Sequence, residues 1–157
     1  MVSEAVTQGP YLQMAVFCER VLREQDGVLS VIRVIDRLTH TIVGTQLPDP
    51  PPPVTYGMWL ALSFKSGSAR GRQTLKLVQE QPSGLRKDLL EQSIMMEGED
   101  RGANLVAQVK TRFEQEGIYW FDVFLNDQLV TRMPFRLTYN LVRRAPPPTP
   151  PGEQRSV

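Results

Sequence analysis

Residues 117–139 read GIYWFDVFLNDQLVTRMPFRLTY, two alternating apolar and polar segments on either side of Asn126-Asp127-Gln128. A period of two marks a strand with one buried face, and a polar Asn-Asp pair between two such runs marks a hairpin turn. The pairing register then decides which rings are core. A two-residue loop would set Phe121 against Arg132 and Tyr119 against Pro134, mixing an apolar row with a polar one. A three-residue loop over Asn126-Asp127-Gln128 sets Val123 against Thr131, Phe121 against Met133 and Tyr119 against Phe135. It also brings Asp122 opposite Arg132, a cross-strand pair worth roughly a few tenths of a kcal/mol. The three-residue loop is therefore predicted, although it puts Gln128 in a left-handed conformation at about 1 kcal/mol.

In that register Tyr119, Phe121, Val123, Leu125, Leu129, Met133, Phe135 and Leu137 form the predicted core row. The opposite face carries Ile118, Trp120, Phe124, Val130 and Pro134 among Asp122, Arg132 and Arg136. A face turned to water has no need of Trp120 and Phe124, so either another segment covers them or a partner does. Aromatic side chains with arginine are what protein interfaces use as anchors. Ile118, Trp120, Phe124, Arg132 and Arg136 are accordingly the candidate protein interface, for a partner protein or a second copy of the chain.

Outward from the hairpin, the chain reads as short alternating segments divided by turn residues. Strands are predicted over 11–18, 28–38, 55–65, 73–79, 92–96, 103–113, 118–125 and 129–139, with loops at 25–27, 66–68, 81–84 and 97–102. Residues 39–43 either extend the second strand or pair as a short one of their own. Brief helical turns are predicted over 19–24 and 85–91. About eight strands without a long helical period imply an all-β fold, an antiparallel two-sheet β-sandwich of the immunoglobulin-like or C2-like kind. Of the 13 prolines, Pro48 and Pro50 to Pro53 make a connector that can be neither a helix interior nor a central strand. Pro146 to Pro148, Pro150 and Pro151 make a second proline segment near the C-terminus. Together they predict a flexible tail over 1–10, a sandwich domain over 11–142 and a disordered proline-rich tail over 143–157.

Composition narrows the functional classes. The chain has 157 residues, 41% hydrophobic and 22% charged, with a formal net charge of +1. That balance gives no electrostatic reason to expect nucleic acid as the partner. No run approaches the roughly 20 apolar residues of a membrane-spanning helix, and MVSEAVTQGP lacks the basic start and apolar run of a signal peptide. A lone cysteine, Cys18, forms no internal disulfide, which points to a reducing compartment, and a cytoplasmic, bacterial protein is expected.

Candidate chemistry is sparse. His40, the single histidine, lies in Thr39-His40-Thr41 with no orienting partner in a motif, and Cys18 follows Ala15-Val16-Phe17 on a predicted strand as a buried thiol. Glu97, Glu99 and Asp100 form an acidic loop beside Gly98 and Gly102, the basis of an alternative reading as a sandwich that binds a small ligand, a lipid surface or calcium. GSARG over 67–71 has glycines and nearby bases but not the strand-loop-helix setting of a phosphate loop. Arg144, Pro147 and Pro150 fit the spacing that proline-binding grooves read. No catalytic, cofactor-binding or metal-ligating residues are assigned, and the expectation is a non-enzymatic module that binds or assembles proteins.

The order AVFCE over 15–19, DGVLSVIRVIDRL over 26–38, the proline connector, then GIYWFDV over 117–123 with Met133-Pro134-Phe135 resembles a widespread group of small uncharacterised bacterial proteins, a domain of unknown function. In that pattern a glycine is usual near Arg33 and near Gln128, where this chain has none. The resemblance implies a one-domain β-sandwich and supplies no catalytic residues.

Overall fold

The computed structural model describes residues 8–148. Seven strands run through them: β1 (Tyr11–Arg23), β2 (Leu29–Ile35), β3 (Arg37–Gly44), β4 (Val54–Glu80), β5 (Arg86–Phe113), β6 (Gly117–Leu125) and β7 (Gln128–Arg143). They form one hydrogen-bonded sheet in the order β2-β1-β4-β6-β7-β3, with β5 also paired to β4. The fold is all-β, as the sequence implies, but the sheet is mixed, because β3 pairs with β7 in parallel. Of the predicted tails, residues 1–7 and 149–157 lie outside the described residues, and so does Pro150 of the Arg144 proline pattern.

Four predicted strands merge into two long ones. β4 and β5 stay paired from Val54 opposite Phe113 to Glu80 opposite Arg86, with breaks in register around Gly67. The loops expected at 66–68 and 97–102 are instead a bend inside the ladder. Ser66 explains why the bend holds together, since its buried hydroxyl donates to the Arg101 carbonyl at 2.9 Å and accepts the Glu97 N–H at 3.2 Å. Gly67 sits there at φ 59°, and a Cβ on it would come within 2.5 Å of the Gln8 carbonyl oxygen, so the segment entering β1 closes against the bend.

Both expected helical turns are strand. Residues 20–23 pair with 29–32, and 86–91 pair with the end of β4, because cross-strand partners are available on each side. The expected strand over 28–38 breaks at Asp36, and β3 leaves to join β7 as a strand of its own.

The hairpin register holds over most of its length: Tyr119 opposes Phe135, Phe121 opposes Met133, Asp122 opposes Arg132 and Val123 opposes Thr131. Its turn is different. Asn126 and Asp127, at φ 49° and 65°, form a two-residue turn, and a bulge restores the register between Val123 and Phe124, leaving Val130 unpaired. Asn and Asp tolerate the left-handed region better than Gln, so the strain falls on them and not on Gln128. The bulge also turns Leu129 outward, 51% exposed, in place of the predicted core position.

The sheet doubles over one core. Phe17 of β1 reaches Phe121 of β6 at 4.8 Å between ring centroids and Phe135 of β7 at 6.0 Å, though β1 is hydrogen-bonded to neither strand. Phe113 packs on Tyr119 at 4.8 Å and stacks on Phe135 at 5.5 Å. Met58, Leu60 and Leu62 before the bend share this core with Leu75 and Leu77 after it. Each such side chain contributes roughly 1.5–3 kcal/mol on burial, and an aromatic pair about 0.5–1.5 kcal/mol more.

Candidate protein interface

The outer face of the hairpin lies between β4 on one side and β3 on the other. Register places Lys76 beside Phe124, Val78 beside Asp122 and Glu80 beside Trp120, while Arg37 of β3 stands beside Arg136. At the centre Asp122 is only 3% exposed. A carboxylate taken so far out of water needs compensating charge. Arg132 supplies it through Nε at 2.7 Å from one oxygen, and Arg86 through Nη2 at 3.1 Å from the other. Glu80 closes the quartet, 2.5 Å from Arg132 and 3.7 Å from Arg86. The hydrogen bond to Asp122 holds the Arg132 guanidinium above the ordinary arginine range, opposed in part by desolvation and helped by Glu80.

Arg132 also covers Trp120, its Cζ 4.8 Å from the ring centroid. That contact orders the indole and makes Arg132 a bridge between the charge quartet and the ring, more than the rim residue the sequence suggested. Of the other candidates, Ile118 is 36% exposed and lies opposite the exposed Arg136, next to Pro134. Phe124 is half-buried on the far side of Asp122, beside Leu129 and Lys76. The quartet thus separates the five candidates: Ile118, Trp120, Arg132 and Arg136 adjoin one another, and Phe124 stands apart with Leu129. Where β1 and β2 meet β7, a cleft of about 320 Å³ lined by Val16, Val34, Arg132 and Pro134 continues the first group.

Sequence reasoning missed Glu80, Arg86 and Leu129. The first two carry no local signal, because only the β4–β5 turn brings them beside Asp122. Leu129 could have been found from the Asn-Asp pair, which favours a two-residue turn.

The remaining candidates disperse. Glu97 lies 3.7 Å from Arg101 and Glu99 3.6 Å from Arg70, and Arg70 also donates to the Glu97 carbonyl at 2.9 Å. Among the described residues no group of three His, Cys, Asp or Glu is placed to hold a metal ion. Cys18 is fully buried, and burial raises its thiol pKa above the usual range. His40 meets Tyr139 edge-on at 5.8 Å, and the Tyr139 hydroxyl ties down the proline connector by donating to the Pro52 carbonyl at 2.6 Å. Among the described residues no helix is long and apolar enough to cross a membrane.

The described residues define an all-β protein built on a mixed seven-stranded sheet. The chain belongs to the family of unknown function DUF6941, whose pattern matches residues 13–138. No curated protein matches it. Among solved structures, it is similar to an immunoglobulin-like protein from Pseudomonas aeruginosa, at 13% identity over 85% of this chain and 99% of that one, with a TM-score of 0.34. It is also similar to the Pseudomonas fluorescens alkylpurine DNA glycosylase AlkC bound to DNA containing an abasic site analog, at 12% identity and a TM-score of 0.36. That match covers 62% of this chain and 27% of the glycosylase. At these TM-scores neither likeness carries an argument about what this chain does.

Proposed function

We propose that this chain is a non-enzymatic, cytoplasmic protein-binding module that docks a partner on the outer face of β6 and β7. The observation that carries the reading is Trp120, half-buried and held under Arg132, beside the exposed Ile118, Pro134 and Arg136. An aromatic side chain ordered before binding loses little freedom on association, which is what makes such residues anchors. Arg136 stands at the rim beside Arg37, whose guanidinium is already met by Asp36 at 3.0 Å, so the fitting partner presents a carboxylate to Arg136 and apolar side chains toward Ile118 and Trp120.

In its finer form the reading takes the doubled sheet as a two-layer sandwich of the immunoglobulin-like kind. Support comes from Tyr119, near the start of β6, whose hydroxyl is bound to the Gln115 backbone in the manner of the tyrosine corner of such sandwiches. No observation favours the ligand, lipid or calcium alternative, since Glu97 and Glu99 already face Arg101 and Arg70.

The test is affinity capture from the native cell with wild-type protein and the Trp120→Ala and Arg136→Glu variants, each first shown folded by its melting curve. A partner held by the wild type and lost by both variants is expected. Equal capture by all three, or collapse of the fold in Trp120→Ala, would sink the reading.

A further inference from the structure

We infer that β3 is the edge at which two copies of this chain join, antiparallel about His40, into one continuous sheet. This inference concerns the strand edge and is independent of the outer-face reading above. Among the described residues β3 has a hydrogen-bonded neighbour, β7, on one side only. In a parallel ladder alternate residues turn their N–H and C=O groups toward the partner. The Asp36 carbonyl accepts the Arg136 N–H at 3.0 Å and the Gly44 carbonyl accepts the Arg144 N–H at 3.4 Å, which fixes the even-numbered positions as those facing β7. Arg37, Thr39, Thr41 and Val43 therefore aim their backbone groups at the open side, where no described strand pairs with them. All four are exposed, Val43 to 64%.

An open edge invites pairing unless something blunts it, and the other edges of this sheet are blunted. β2 is interrupted by Arg33 at φ 55°, tied to Glu19 at 3.3 Å. β5 carries Arg86, Lys87, Asp88 and Glu91 on one stretch, with a break in register opposite Leu77 and Val78, and Lys110 and Arg112 on the other. From Leu38 to Gly44, by contrast, β3 has no acidic residue, lysine, arginine, proline or bulge, and it is built of Thr, Ile and Val, which favour strands.

The occupant follows from the order of these residues. Leu38-Thr39-His40-Thr41-Ile42 has the same chemistry read in either direction. Placed antiparallel to itself about His40, it sets Thr39 against Thr41 and Arg37 against Val43 as the hydrogen-bonded pairs. Leu38 then meets Ile42 between them, on the same face as the core row. Among two-fold registers this one engages every outward-facing residue of the strand, and a two-fold axis makes each contact twice.

Sedimentation equilibrium on the full chain tests the inference, with amide hydrogen exchange of Thr39, Thr41 and Val43 as the second measurement. Expected are a monomer–dimer equilibrium and exchange at these three amides that slows at least tenfold from dilute to concentrated protein. Thr41→Pro removes an outward donor and leaves the β7 ladder intact, so it should shift the chain to monomer with Trp120-dependent capture unchanged. A chain that stays monomeric up to millimolar concentration overturns the inference. So does a dimer in which these amides exchange as freely as in the monomer, whether or not Thr41→Pro folds.

Discussion

The Tyr119 hydroxyl donates to the Gln115 carbonyl at 2.6 Å and accepts the Gln115 N–H at 2.9 Å, so one side chain satisfies both backbone groups of a residue in the β5–β6 turn. The ring meanwhile is fully buried against Phe113. Tyr119→Phe keeps the ring and removes both hydrogen bonds, and it should cost about 1–3 kcal/mol in urea unfolding. A loss below a few tenths would mean that water replaces the hydroxyl without penalty.

The same residue sets an alkaline limit. Burial raises the Tyr119 pKa above the ordinary phenol range, opposed in part by its backbone hydrogen bonds, and burial raises Tyr139 as well, with Glu116 adding. Both groups hold their protons more tightly folded than unfolded. Their contribution is fully present below the unfolded phenol value of about 10 and is lost as pH rises through the folded values. Unfolding free energy should be flat in this respect from pH 8 to about 10 and fall beyond it. Tyr119→Phe should make that fall shallower, and an unchanged slope would remove Tyr119 as its source.

The core row of the hairpin was legible because alternation and side-chain size admit few consistent registers. Leu129 was not, since its direction depends on a bulge at Val130 that follows from the turn, not from the strand. The continuity of β4 and β5 hides for a similar reason: a Ser-Gly-Ser stretch reads as a loop until the Ser66 hydroxyl is seen bonded inside. Parallel pairing of β3 joins Thr39 to Thr138, 99 residues apart, and nothing local announces it. At the candidate interface Trp120 and its neighbours could be named from their face alone. Their electrostatic setting could not, because Glu80 and Arg86 arrive from another hairpin.

Asp122 should behave as a buried carboxylate with two partners. Asp122→Ala should cost about 2 kcal/mol, less than a fully enclosed pair, because the Arg132 and Arg86 side chains are 40% and 44% exposed and regain water. Arg132→Ala should cost less still, with Arg86 left to hold Asp122. In a Trp59→Phe background it should shift Trp120 fluorescence to the red as the indole loses its cover. Emission that does not move would mean that Arg132 does not lie on the ring in solution.

Arg33 sits at φ 55°, where an L side chain crowds its own backbone. Its ion pair with Glu19 is exposed on both sides and contributes little. Arg33→Gly should therefore stabilise the chain by about 0.5 kcal/mol, relief of left-handed strain slightly exceeding the entropy that glycine adds to the unfolded state. Arg33→Val should destabilise it by more than that. Reversal of this order in melting temperature would count against the left-handed conformation.

Gln79 points into the core with no exposed surface; its Oε1 accepts the Thr111 hydroxyl at 3.1 Å, and its Nε2 has no partner among the described residues. A buried amide with one end unpaired is weaker than the apolar side chain it displaces. Thr111→Val alone strips the remaining bond and should cost about 1–3 kcal/mol. Gln79→Met alone leaves a buried hydroxyl without its acceptor and should cost about 1 kcal/mol. Made together, the two changes remove every polar atom at once and should come out neutral or stabilising, a coupling that a double-mutant cycle in urea reads directly. Additive losses would mean that the pair is not a closed unit and that Nε2 is satisfied in solution.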